Sequence, residues 1–164
     1  MPCLKCGLTG FLNWHGFITG ESDKNDGTSV QRGHRIFCNN RGLCNGCGKT
    51  FSIYYSNIMP HQNISAVMLW HFLCAVVEKI PIYLIPIKKY LSLSITSAYR
   101  LWKRFQLNQT HIRSFLTRIH SPPELLHETQ PELQCIDHLK ISFEENLCAI
   151  AGFQNKFQHP FFAF

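Results

Sequence analysis

Five of the eight cysteines in this 164-residue chain fall in its first third: Cys3, Cys6, Cys38, Cys44 and Cys47. Two short runs share one pattern, Cys3-Leu4-Lys5-Cys6-Gly7 and Cys44-Asn45-Gly46-Cys47-Gly48. A Cys-x-x-Cys spacing lets two thiolates converge on one ion, and the following glycine permits the tight turn behind them. Two such knuckles around a hairpin predict a tetrahedral four-sulfur site. Cys38 is a fifth candidate, because it ends the expected strand His34-Arg35-Ile36-Phe37, a position from which a ligand is often supplied. The alternative set is therefore Cys3, Cys6, Cys38 and Cys47, with Cys44 in an inserted loop. Four of the five bind, and either Cys38 or Cys44 is spare.

The competing readings are ordinary reduced cysteines or a redox dithiol; the paired knuckles favour metal. A catalytic zinc usually keeps three protein ligands and one open position. Here thiolates are in surplus and no carboxylate lies nearby, so the expected cofactor is one structural Zn2+. No leader precedes Cys3, so the reading is of a chain kept in a reducing cytoplasm, close to the nucleoid. A membrane span needs roughly 20 consecutive apolar residues. The richest stretch, 64–77, is interrupted by Ser65, Trp70 and His71, and no membrane partner is expected.

Charge is unevenly distributed. Residues 1–63 carry six Lys/Arg against three Asp/Glu, residues 64–120 eight against Glu78 alone, and residues 121–164 two against six. A basic front and middle point to a polyanionic partner, double-stranded DNA above all. Ordinary scatter on a solvated surface is the blander account.

The elements that must position these groups fall into three segments: a zinc ribbon over 1–59, a helix-turn-helix-like helical domain over 60–120, and an acidic, Phe-rich helical segment over 121–164. The fold class is α+β, mostly α, with the short antiparallel strands confined to the ribbon. Gly16-Phe17-Ile18 and His34-Arg35-Ile36-Phe37 read as strands around a polar loop, 21–33, and Thr50 to Tyr55 as a third. So small a sheet needs a metal to fold.

Asn63 is the expected N-cap of a helix over 64–79 that Pro81 ends, with His71 packed or hydrogen-bonded on it; a second short helix over 82–91 carries Pro86. Ser94 then caps a long helix. Its seam of Ala98, Trp102, Phe105, Gln109, Ile112, Leu116 and Ile119 reaches His120, where Pro122-Pro123 stops it. The seam reads first as core, with a homodimer interface as the alternative. Leu133, Ile136, Leu139 and Phe143 line one side of a further helix. Phe153, Phe157, Phe161, Phe162 and Phe164 either finish the core or form a docking patch for a transposase or another protein.

Opposite the Ala98–Trp102–Phe105 seam lie Thr96, Arg100 and Lys103, with Ser97 and Arg104 beside them. Hydroxyls in a first helical turn reach phosphate oxygens, and arginine forks onto guanine in a major groove. These five residues, with Lys49, Lys88 and Lys89, are the expected DNA contacts. A buried helix, a short helix and this one in succession suit a helix-turn-helix. Asp137, Glu144 and Glu145 read as solvated positions. Only ten acids are present, too few and too poorly patterned for the acidic triad of a two-metal nuclease, so catalysis by this chain alone is not expected.

Cys3-x2-Cys6, His34-Arg35-Ile36-Phe37-Cys38 and Cys47-Gly48-Lys49-Thr50-Phe51-Ser52 resemble the zinc-ribbon start of bacterial insertion-sequence transposase proteins. Residues 94–103 look like the helix-turn-helix of short, transposase-related proteins that lack a catalytic domain. The resemblance spans about two-thirds of the chain and departs from the simplest pattern by the insertion 39–46. It implies a protein that binds transposon ends or a promoter. A protein-interaction module that recruits a partner enzyme, and a zinc enzyme, are the readings from other classes.

Overall fold

The computed structural model of the chain describes residues 1–23, 27–89, 91–124 and 130–162. They form two compact units, Met1–Tyr55 and Ser56–Phe164, the first built on a sheet and the second on helices. The fold is thus α+β, with a three-stranded antiparallel sheet and five α-helices among the described residues.

In the first unit β1 (Leu12–Glu21), β2 (Ser29–Cys38) and β3 (Thr50–Tyr54) pair in sequence order. The first two strands are much longer than the tripeptide and tetrapeptide expected, and they absorb both ends of the polar loop. Period-2 patterning had hidden this, because the register shifts twice. Trp14 pairs with Ile36 and Gly16 with Arg35, which leaves His15 as an extra residue. Ile18 pairs with Gly33 and Thr19 with Gln31, which leaves Arg32 as another. Each bulge offsets the alternation by one residue, so the apolar positions of β1 do not read as a strand. Cys38 falls at the end of β2 and Thr50 opens β3, so the sheet delivers both flanks of the insertion to one end.

The second unit begins where Ile58 bridges Ser65 and the Ala66 amide donates to the Asn57 carbonyl. That bridge holds Ser65 extended, at φ −81° and ψ 163°, so α1 (Ala66–Val77) starts two residues later than expected and its cap is Ser65, not Asn63. The Ser65 hydroxyl accepts the Met68 amide at 3.1 Å. At the other end the amides of Lys79 and Ile80 donate back to Val76 and Ala75, with Lys79 at φ 60°. This is a Schellman closure, with lysine where glycine is preferred. His71, expected to be packed or hydrogen-bonded, is exposed on α1.

In place of one short helix over 82–91 there is a 3-10 turn, Ile82–Leu84, followed by the single turn of α2 (Ile85–Lys88). Pro86 sits in that first turn, where its missing N–H is harmless. Ser94 caps α3 (Ile95–Leu116), its hydroxyl accepting the Ser97 amide at 3.1 Å. Ala98, Phe105, Ile112 and Leu116 of the expected seam are buried, with Trp102 and Ile119 packed against the core. The α-helix ends at Leu116, short of His120, as the Ile119 and His120 amides both turn back to the Leu116 carbonyl.

Leu133, Ile136, Leu139 and Phe143 are all buried along and just after α4 (Pro131–Ser142). α5 (Ala149–Phe157) packs on α1. Phe153, Phe161 and Phe162 are interior, and Phe157 packs against them. The tail therefore finishes the core of its unit; Phe164 lies outside the described residues. Gln154 fixes this closure: its amide nitrogen donates to the Ser56 and Ile58 carbonyls at 2.7 and 2.9 Å, and its oxygen accepts the Phe161 amide at 3.1 Å. Among the described residues no helix is long and apolar enough to cross a membrane.

Candidate metal centre

Four cysteine sulfurs, those of Cys3, Cys6, Cys38 and Cys47, lie within 4.8 Å of one another and could hold one metal ion. Cys3 and Cys47 are 3.7 Å apart and Cys6 and Cys38 3.8 Å apart, sulfur to sulfur. A tetrahedron with metal–sulfur arms of about 2.3 Å has edges of about 3.8 Å. A disulfide would need about 2 Å. Those two separations match the edges of such a tetrahedron, and the other sulfur pairs lie within 4.8 Å.

The two halves of the site are built alike, although the sequence spaces them differently. Around the first, the Cys3 amide donates to the Leu8 carbonyl and the Gly7 amide to the Cys3 carbonyl, both at 2.9 Å. Around the second, the Cys38 amide donates to the Lys49 carbonyl and the Gly48 amide to the Cys38 carbonyl, again both at 2.9 Å. Gly7 has φ 73° and Gly48 φ 71°, a region that side-chain-bearing residues enter only with strain. The Cys6 amide is directed at the Cys3 sulfur, and the Cys47 amide donates to the Cys38 sulfur at 3.3 Å. The second knuckle is therefore Cys38 and Cys47, with residues 39–46 looped out where the first has only Leu4 and Lys5.

Cys44 belongs to that loop. It is absent from the four-sulfur group, and its sulfur accepts the Asn39 side-chain amide at 3.2 Å. Asn39 organises the whole insertion: its side-chain oxygen accepts the Arg41 amide at 3.0 Å and its carbonyl the Gly46 amide at 2.9 Å. Sequence reasoning overlooked it. The available signal was Asn39-Asn40 directly after a strand, where Asx side chains mimic a turn.

Backbone N–H groups aimed at sulfur favour the thiolate. At Cys3 the Cys6 amide, aided by the Lys5 amide, holds the thiol down at about 6 against the opposing effect of burial. At Cys38 the Cys47 amide acts in the same sense, but burial and the three facing sulfurs outweigh it and push the thiol up to about 12. Four sulfurs this close cannot all ionise without a cation among them. That is the chemistry of a metal cage.

The expected DNA contacts are distributed as follows. Thr96, Arg100 and Lys103 are exposed on α3 at helical spacing, opposite the buried Ala98 and Phe105. Ser97 is half-buried and takes a hydrogen bond from the Ser94 hydroxyl at 2.9 Å. The Arg104 guanidinium lies over the Phe162 ring, 5.5 Å from its centre. Lys88 is exposed, whereas Lys89 pairs with Glu78 at 2.6 Å. Lys49 is exposed in the first unit, its carbonyl engaged by Cys38. Asp137 pairs with Lys140 at 3.8 Å, and Glu144 and Glu145 are exposed.

The chain matches no protein-family profile, no curated protein and no solved structure.

Proposed function

We propose that the chain is a non-catalytic, zinc-dependent DNA-binding protein, related to the transposases of mobile elements and acting as a regulator or targeting subunit. Zinc is the ion best suited to four thiolates at tetrahedral separations in a small domain. With every coordination position taken by sulfur, its role is structural. It ties the termini of the sheet together and supplies the folding free energy that so small a core lacks.

One observation carries the DNA reading. The exposed face of α3 presents Thr96, Arg100 and Lys103, while the sole acid of residues 64–120, Glu78, is neutralised by Lys89 at 2.6 Å. That face is free to meet phosphates with no carboxylate of its own segment competing. The order of α1, the one-turn α2 and α3 suits a helix-turn-helix with α3 as the reading helix. Arg104 contributes indirectly by packing on Phe162. The interaction-module alternative loses its most obvious surface, because Phe153, Phe161 and Phe162 are interior.

The test is salt-dependent binding of the zinc-loaded chain to duplex DNA, against Arg100→Ala/Lys103→Ala. Each lost phosphate contact lowers the slope of log affinity on log salt by about 0.9, so the double variant should lose about 1.8. Equal slopes and affinities for the two proteins remove α3 from the DNA.

A further inference from the structure

One face of the small sheet carries a cluster of rings with no counterpart in the core. Trp14 and Phe17 are 57% and 59% exposed. Three residues apart on a regular strand, they would point to opposite faces. The bulge at His15, followed by Gly16 at φ 133°, turns both to the same side: Trp14 pairs with Ile36 and Phe17 with His34, two positions of β2 that share a face. Bulges re-aim side chains in this way, frequently at functional sites.

His34 is the hub of the cluster. Its ring lies 4.3 Å from that of Trp14, 5.8 Å from Phe17 and 5.2 Å from Tyr55, centre to centre. Tyr55 shares a hydrogen bond with His34 Nε2 at 2.9 Å, and Gln31 bonds both Tyr55 and His34. The rings are thus held in place before anything binds, which lowers the ordering cost of stacking on them.

Charge selects the occupant. Residues 1–55 carry six Lys/Arg against three acids, and in the sequence all three acids fall between positions 21 and 26; the exposed cations Lys5, Arg35, Arg41 and Lys49 lie outside that stretch. Exposed aromatic faces on a unit of net positive charge match unpaired bases strung on a phosphate backbone. We infer that Trp14, Phe17, His34 and Tyr55 form a stacking platform for single-stranded DNA. The inference rests on the DNA-binding reading and adds a second, structurally separate mode to it.

The experiment measures binding of the full zinc-loaded chain to an oligothymidylate, to its duplex with oligoadenylate, and to an oligouridylate. Trp14→Ala/Phe17→Ala should lose about tenfold or more in affinity for oligothymidylate and keep its duplex affinity and bound zinc. Trp14→Phe, which keeps a ring, should retain most of the single-strand affinity, separating stacking from misfolding. Unchanged oligothymidylate binding in the double alanine variant overturns the platform, as does an equal loss on both DNA forms. A loss confined to oligouridylate replaces single-stranded DNA by RNA, and self-association abolished in the variant replaces it by a second copy of the chain. Duplex binding indifferent to Arg100→Ala/Lys103→Ala sinks only the α3 reading and leaves the platform to its own result.

Discussion

Gly48 stands to Cys38 as Gly7 stands to Cys3: in each pair the glycine amide donates to the cysteine carbonyl at 2.9 Å, with the glycine in a left-handed conformation. The partner of Cys47 in the second knuckle is thus a residue nine positions back, not the Cys44 that its Cys-x-x-Cys spacing advertises. Backbone hydrogen bonding, not spacing, defines the pair.

Replacing Cys44 by serine should therefore leave one bound metal per chain, with the first unit as stable as before. Replacing Cys38 by serine should abolish stoichiometric binding and unfold the sheet, since a structural zinc supplies about 10–16 kcal/mol of binding free energy to such a fold. Metal titration with a chromogenic chelator, followed by circular dichroism, distinguishes the two. A metal-free Cys44→Ser protein would reinstate the other ligand set.

Alanine at Gly46 should do more harm than alanine at Gly48. A Cβ on Gly46 would stand 2.2 Å from the Asn39 carbonyl oxygen and 2.8 Å from the Cys38 sulfur, neither of which can move without disturbing the site. At Gly48 the nearest obstacle is the movable Asn40 side chain, leaving mainly the strain of φ 71°, about 1 kcal/mol. Competition with a chelator should show metal affinity down by more than tenfold for Gly46→Ala and by less for Gly48→Ala.

Gln154→Ala should destabilise the helical unit by about 2–3 kcal/mol, because it orphans the buried Ser56 and Ile58 carbonyls and the Phe161 amide together. Phe161→Ala, which empties a fully buried ring position, should cost about 3–5 kcal/mol. Urea unfolding gives both values. A change under about 0.5 kcal/mol in Phe161→Ala would mean the tail is not core.

Acid should weaken the helical unit through His138. It is nearly inaccessible, and burial lowers its pKa; the hydrogen bond to the His120 carbonyl at 3.1 Å opposes this, while the charges of His120 and Arg113 add to it. Below the unfolded value of about 6.5 the unfolded chain takes up the proton more readily, so stability is complete above that pH and is lost as pH falls. His138→Gln keeps a donor for the carbonyl and removes the titration. The protection of α4 amides, referenced to the intrinsic exchange rate at each pH, should fall more between pH 7 and 5 in the parent than in this variant.

The Ser94 cap and most of the α3 seam were legible because a helical stripe and its cap are local: every residue that decides them lies within a turn of its neighbour. The same holds for the buried side of α4 and for the cysteine-rich start. The cap at Ser65 was not legible, because it depends on the bridge to Ile58 that holds Ser65 itself extended. Nor were the long strands, whose bulges at His15 and Arg32 break the alternation that marks a strand.

Composition and spacing thus determined that thiolates would gather in the first third, that helices would follow, and where the positive charge would lie. Only the tertiary structure decided which four sulfurs meet, that the phenylalanines of the tail turn inward, and that Trp14 and Phe17 share a face. Each of these depends on pairing between segments distant along the chain: β2 with β3 across the insertion, α5 with the chain at Ser56 and Ile58, and β1 with β2 through a shifted register. The free energy of such contacts is set by what lies opposite, and a linear pattern does not record it.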